Sequence, residues 1–123
     1  MGFMDKMKLA AKNADSKAGE AVDKSKYKSK IYEEENEIKK LYSKIGEAYY
    51  TAKTEDKDAS ADLDAMVKEI DDRKAKIAEY EVKIKEIEEA GQKEREQNKA
   101  EAEAAAKARE EAKAAKEAEK SEE

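Results

Sequence analysis

The sequence predicts an all-α protein whose centre is an antiparallel coiled-coil helical hairpin. An N-terminal amphipathic helix precedes the hairpin, and a charged, Ala-rich helical or frayed tail follows it. Three observations predict this. Apolar residues recur in a heptad pattern over two separate stretches, the repeat of a coiled-coil seam. No proline interrupts the chain anywhere in its 123 residues. Charged residues make up 48% of it, with a mean hydropathy of −1.18. Such a chain has too little apolar surface for a globular core, and its Ala/Glu/Lys-rich composition points to long helices instead.

Residues 1–30 form a basic arm, with eight lysines against four acids. On a helix at about 100° per residue, Phe3, Met4, Met7, Ala10, Ala11, Ala14, Ala18, Ala21 and Val22 fall within roughly a third of the circumference. Leu9 is the one exception. Lys6 and Lys17 flank the stripe on one side, and Lys8 and Lys12 on the other. Asp5, Asn13, Ser16, Glu20 and Asp23 sit mainly on the far side. Lysines at the apolar boundary suit a helix lying in a bilayer interface, where their stems stay in the apolar zone and their ammonium groups reach lipid headgroups. Phe3, Met4, Met7, Lys6, Lys8, Lys12 and Lys17 are therefore candidate membrane contacts. The competing expectation is that the arm lays its alanines against the hairpin or a second copy of the chain.

Residues 31–90 are the hairpin. With Ile31 at heptad position a, the a positions read Ile31, Ile38, Ile45 and Ala52, and the d positions Glu34, Leu41 and Ala48. The second helix restarts with Leu63 at a, followed by Ile70, Ile77 and Ile84; its d positions are Met66, Arg73, Tyr80 and Ile87. The predicted core is Ile31, Ile38, Leu41, Ile45, Leu63, Met66, Ile70, Ile77, Tyr80, Ile84 and Ile87. Residues 53–62 hold no large apolar side chain and read as the loop, with Asp58 or Ser60 capping the second helix. So short a connection makes the helices antiparallel neighbours. Setting Ala52 opposite Leu63 places Ile45 against Ile70, Ile38 against Ile77 and Ile31 against Ile84. Glu34 then falls near Tyr80, and Arg73 near Leu41 and Tyr42. These two polar residues could fix the register, as single polar a or d residues do, though the favoured expectation is that their stems reach out of the seam. Tyr42, Tyr49 and Val67 lie at e, beside the seam, and call for another helix to cover them, so a homo-oligomer is expected, with a dimer favoured.

Residues 91–123 contain no large apolar residue. Gly91 marks a weak point or helix C-cap. Supporting pairs are expected at Glu103–Lys107, Glu96–Lys99, Glu110–Lys113 and Glu117–Lys120, but an isolated helix is marginal in water, and a solvent-exposed spacer is expected.

Composition argues against most chemistry. With no histidine or cysteine, no Ser-His or Cys-His nucleophile and no thiolate metal site can be built, and the four scattered glycines form no phosphate loop. No catalytic residue, metal ligand or cofactor is predicted. Asp56, Asp58, Ser60, Asp62 and Asp64 alternate as calcium-loop ligands do, but Ala61 and Val67 stand where that loop needs Gly and a bidentate Glu. Nucleic acid is not an expected partner, because the acidic hairpin opposes the modest charge of the arm. Lys6 also spoils the myristoylation pattern that begins at Gly2. A cytoplasmic protein is expected, with the inner face of the membrane as its alternative station.

Met1-Gly2-Phe3-Met4-Asp5-Lys6-Met7-Lys8 and the run from Glu37 through Ile45-Gly46 to Tyr49-Tyr50 resemble the helical half of small zinc-ribbon proteins of Gram-positive anaerobes. The resemblance covers roughly residues 1–90. It implies a short amphipathic start, a helical hairpin and no enzymatic activity. The cysteine ribbon of that family has no counterpart here, so no zinc site is implied. The arm is also similar, in architecture, to the membrane-contacting first helix of bacterial phage-shock and ESCRT-III-like proteins. The functional expectation is a non-enzymatic coiled-coil protein that self-associates or binds a protein partner, with peripheral docking on anionic lipid through residues 1–22 as the alternative.

Overall fold

A computed structural model describes residues 1–122. Among them there are two helices and no strand: α1 spans Phe3–Glu55 and α2 spans Ser60–Glu122. The helices pack against each other in two compact units. One is Asp23–Glu86, and the other joins residues 1–22 to the chain from Ile87 onward.

The loop is shorter than residues 53–62. Helix α1 runs on to Glu55, and only residues 56–59 connect it to α2. Both ends are chemically closed. Asp56 takes a left-handed conformation with φ of 53°, and the Lys57 N–H donates to the Ala52 carbonyl at 3.1 Å. Together these are a Schellman-type stop, built here on an aspartate where glycine is usual. Asp58 then opens α2: its carboxylate accepts the Ser60 N–H at 2.9 Å, answering one of the orphan donors of the first turn. The Ser60 hydroxyl, which also donates to this carboxylate, and then the Ser60 N–H hold the Asp58 carboxyl below its ordinary 3.8.

In the 23–86 unit the isoleucines form the seam. Ile38, Leu41 and Ile70 are buried together, and Ile45, Met66 and Ile77 pack on them. Ile31, Leu63, Tyr80 and Ile84 are half-buried along the same line. The register differs from the one Ala52 opposite Leu63 implies. Glu34 does not reach out beside Tyr80; its carboxylate accepts from Arg73 Nη1 at 2.9 Å. Arg73 also bonds Glu69, and both carboxylates stabilise its charge. The Tyr80 ring lies 6.0 Å from that of Tyr27, with the Lys30 ammonium within cation–π reach of both, at 5.4 and 5.6 Å. Tyr27–Tyr80 and Glu34–Arg73 are contacts between d positions one heptad apart. The polar pair persists because only 14% of the Glu34 side chain and 26% of Arg73 is exposed. At that depth an unpartnered charge costs more than a paired one.

The tail is not frayed in the other unit. Helix α2 passes through Gly91 without a break and continues to Glu122. Residues 91–106 lie against the arm, so within the chain the arm's neighbour is the tail. The four Glu–Lys pairs expected along the tail do not form among the described residues. Gln92–Glu96 and Gln97–Glu101 hydrogen bonds of 3.3 and 3.2 Å stand along that helix instead.

Candidate functional site: the outward face of the arm

The arm packs by its polar face. Its half-buried residues are Asp5, Leu9, Asn13, Ser16 and Glu20. Opposite them, Gly91 and Ala106 are buried and Arg95, Asn98 and Ala102 half-buried. Successive inward positions are spaced 4, 4, 3 and 4 in the arm and 4, 3, 4 and 4 in the tail. That is the spacing of an 11-residue repeat, whereas the isoleucine seam keeps heptads.

Ion pairs tie the arm to the tail in this unit. Arg95 donates from both terminal nitrogens to Glu20 Oε1 at 3.3 Å, with 20% and 14% of the two side chains exposed. Gly91 provides the room, since a Cβ there would run into the Glu20 carboxylate. Arg109 bonds Asp5, and Asp5 Oδ2 also accepts the Gly2 N–H at 3.2 Å. Asp5 thus ties down the start of α1, in the manner of a capping box, and anchors it to the tail. The Arg109 guanidinium, helped by the Gly2 N–H, holds the Asp5 carboxyl below its ordinary 3.8. Between these anchors the seam is imperfect: Asn13 Oδ1 and Ser16 Oγ are buried without a hydrogen-bond partner.

Because the polar face turns inward, the apolar stripe turns out. All nine of its residues are exposed; Phe3 is 76% exposed, Met4 65%, Met7 53% and Val22 62%. The inward line covers about 80° of the wheel and is centred roughly 160° from the stripe. Lys6, Lys8, Lys12 and Lys17 are exposed along the two edges between. The seven candidate contact residues therefore share one uncovered surface. The core residues named from sequence all turn inward, the last of them, Ile87, half-buried at the head of the tail segment.

Sequence reasoning missed the residues that set this orientation: Leu9, Gly91, Arg95, Ala102 and Ala106. Leu9 carried the available signal, as the one large apolar residue outside the stripe.

Among the described residues no helix is long and apolar enough to cross a membrane, and no group of three or more carboxylates is placed to hold a metal ion. In the alternating run Asp56 to Asp64, Asp58 is occupied by its cap to Ser60. Fold and surface together define a two-helix coiled-coil protein with an amphipathic helix whose apolar face is uncovered. No family model matches the chain, and no curated protein or solved structure matches it.

Proposed function

We propose that this is a non-enzymatic helical hairpin protein that docks on anionic lipid surfaces through residues 1–22. One observation carries the reading: the arm buries its polar face against the tail and leaves its apolar face, edged by four lysines, in solvent. If the arm existed to pack on protein within the chain, its stripe would be the buried side. A lipid interface accepts Phe3, Met4, Met7 and Val22 at the acyl boundary while the lysines reach the headgroups. Most of the stripe is alanine, so binding is reversible and depends on charge, at about 1 kcal/mol per well-placed lysine. Because the arm is already helical, little ordering entropy opposes docking.

The test is flotation of the full chain with vesicles of phosphatidylcholine alone and with added phosphatidylglycerol, at low and high salt. Binding that needs the anionic lipid, weakens with salt and disappears in Phe3→Asp/Met7→Asp supports docking. No binding to anionic vesicles at low salt refutes it.

A second observation favours self-association. Tyr42, Tyr49 and Val67 stand at e positions and are each at least half exposed; in an antiparallel pair the e positions of both helices share one flank. A second hairpin laid on that flank would complete a four-helix arrangement. Sedimentation equilibrium of wild type against Tyr42→Lys/Val67→Lys tests this: a dimer that the variant abolishes supports it, and a monomeric wild type removes it.

A further inference from the structure

The two edges of the arm are not equivalent. On the Lys8/Lys12 side, a cleft of about 390 Å³ opens between the arm and the tail. Its floor includes Leu9, Ala102 and Ala105, and its rim carries Lys8, Lys12 and Arg109. Two carboxylates also line it, Asp5 and Glu101, and both are already engaged. Asp5 is bonded by Arg109 and the Gly2 N–H, and Glu101 accepts from Gln97 Nε2. Lys8 and Lys12 have no ion-pair partner among the described residues. Asp5 is neutralised by Arg109 and Glu101 keeps its charge, so two unpaired lysines face one carboxylate and the cleft retains an excess positive charge that can take an anion.

The position of the cleft fits its charge. When the apolar stripe rests at the acyl boundary, the lysine edge lies at headgroup depth. A concave opening on that edge can admit one headgroup, whereas a convex helix face can only touch several.

We infer that the Lys8–Lys12–Arg109 cleft binds the phosphate of a lipid headgroup, with preference for a phosphomonoester such as that of phosphatidic acid. A phosphomonoester carries more negative charge than a phosphodiester and offers three terminal oxygens. It can therefore meet two ammonium groups and Arg109 Nη1, the terminal nitrogen that Asp5 does not engage, while a diester presents only two free oxygens. This inference rests on the docking reading above and adds lipid selectivity to it. Lys6 and Lys17, on the other edge, do not line this cleft and supply charge alone.

The test compares the full chain with two double variants, Lys8→Gln/Lys12→Gln and Lys6→Gln/Lys17→Gln, which remove equal charge from opposite edges. All four lysines are exposed, so circular dichroism should give the wild-type helical signal for both. Each protein is floated with phosphatidylcholine vesicles containing phosphatidic acid or phosphatidylglycerol, adjusted to equal surface potential. Both variants should bind phosphatidylglycerol vesicles more weakly than wild type and to a similar extent, roughly tenfold or more for two lysines. Wild type and Lys6→Gln/Lys17→Gln should bind phosphatidic acid severalfold better than phosphatidylglycerol, and Lys8→Gln/Lys12→Gln should lose that ratio.

Equal binding of both lipids by wild type, or a ratio that survives in Lys8→Gln/Lys12→Gln, overturns the cleft assignment while leaving docking intact. Failure of wild type to bind either vesicle overturns docking and the cleft together. Saturation by soluble glycerol phosphate, without any preference among vesicles, assigns the cleft to a soluble phosphomonoester and overturns the lipid assignment.

Discussion

Replacing Gly91 with alanine sets two effects of similar size against each other. Gly91 lies inside α2, where glycine costs about 1 kcal/mol relative to alanine, so on propensity alone Gly91→Ala stabilises by that amount. The structure opposes it, because the new methyl group would occupy the place of the Glu20 carboxylate and sit 3.0 Å from Arg95 Nη1. The carboxylate is the far end of a flexible side chain and can swing away, but doing so breaks both bonds to Arg95. Those bonds are long, at 3.3 Å each, and the pair lies at a partly exposed seam, so losing them costs roughly 1 kcal/mol. The two terms nearly cancel. Gly91→Ala alone should therefore change stability little, whereas the same change in a Glu20→Ala background should stabilise by about 1 kcal/mol. Urea unfolding of wild type, both single variants and the double variant, at one fixed protein concentration, gives the coupling directly. A coupling near zero, with Gly91→Ala stabilising equally in both backgrounds, would mean that Glu20 does not lie over Gly91, and the pairing of arm and tail described above would be wrong.

Three further outcomes follow from the same geometry. Ile70→Ala removes a side chain only 5% exposed at the centre of the isoleucine cluster and should cost about 2–3 kcal/mol in urea unfolding, the low end for core truncation because a two-helix seam can partly collapse. Ser16→Ala removes a buried hydroxyl without a partner and should stabilise by about 1 kcal/mol, against only a few tenths for the same change at exposed Ser43, where helix propensity alone operates; equal gains at both sites would show that Ser16 is not buried. For pH, the Asp5 and Asp58 carboxyls are both held below the ordinary 3.8, so their contribution is fully present above that value and is lost as pH falls through the lowered one. With no histidine in the chain, helicity followed by circular dichroism should stay flat from mildly acidic to mildly alkaline pH and decline only in strong acid, and Asp58→Asn should make that acid limb shallower.

The isoleucine seam was legible in the sequence because one class of residue does one job there. β-branched side chains at a, in an otherwise charged chain, leave a single way to bury apolar surface, and the helices adopt it. The pairing of Glu34 with Arg73 is not legible from heptad positions alone, because which acid meets which base depends on register, and register depends on where the loop begins. The sequence pattern makes the loop too wide for a related reason. Residues 53–55 lack large apolar groups, but an exposed last helical turn needs none, and only the left-handed Asp56 ends the helix.

The arm and tail were harder to read for a more general reason. A search for hydrophobic periodicity assumes that the apolar face is the buried one. Here the buried face is Asp5, Leu9, Asn13, Ser16 and Glu20, and the tail meets it with Gly91, Arg95, Asn98, Ala102 and Ala106. Small residues let the backbones approach, ionic pairs set the register, and the 11-residue spacing keeps both lines facing each other where a heptad would drift off them. Such a seam yields little hydrophobic stabilisation, and it leaves two polar oxygens unanswered. Packing the stripe inward would have buried more apolar surface. A sequence that leaves Phe3, Met4, Met7 and Val22 in water, and holds them there with glutamate, arginine and glycine, gives up stability within the chain, and that loss is what the proposed lipid docking would offset.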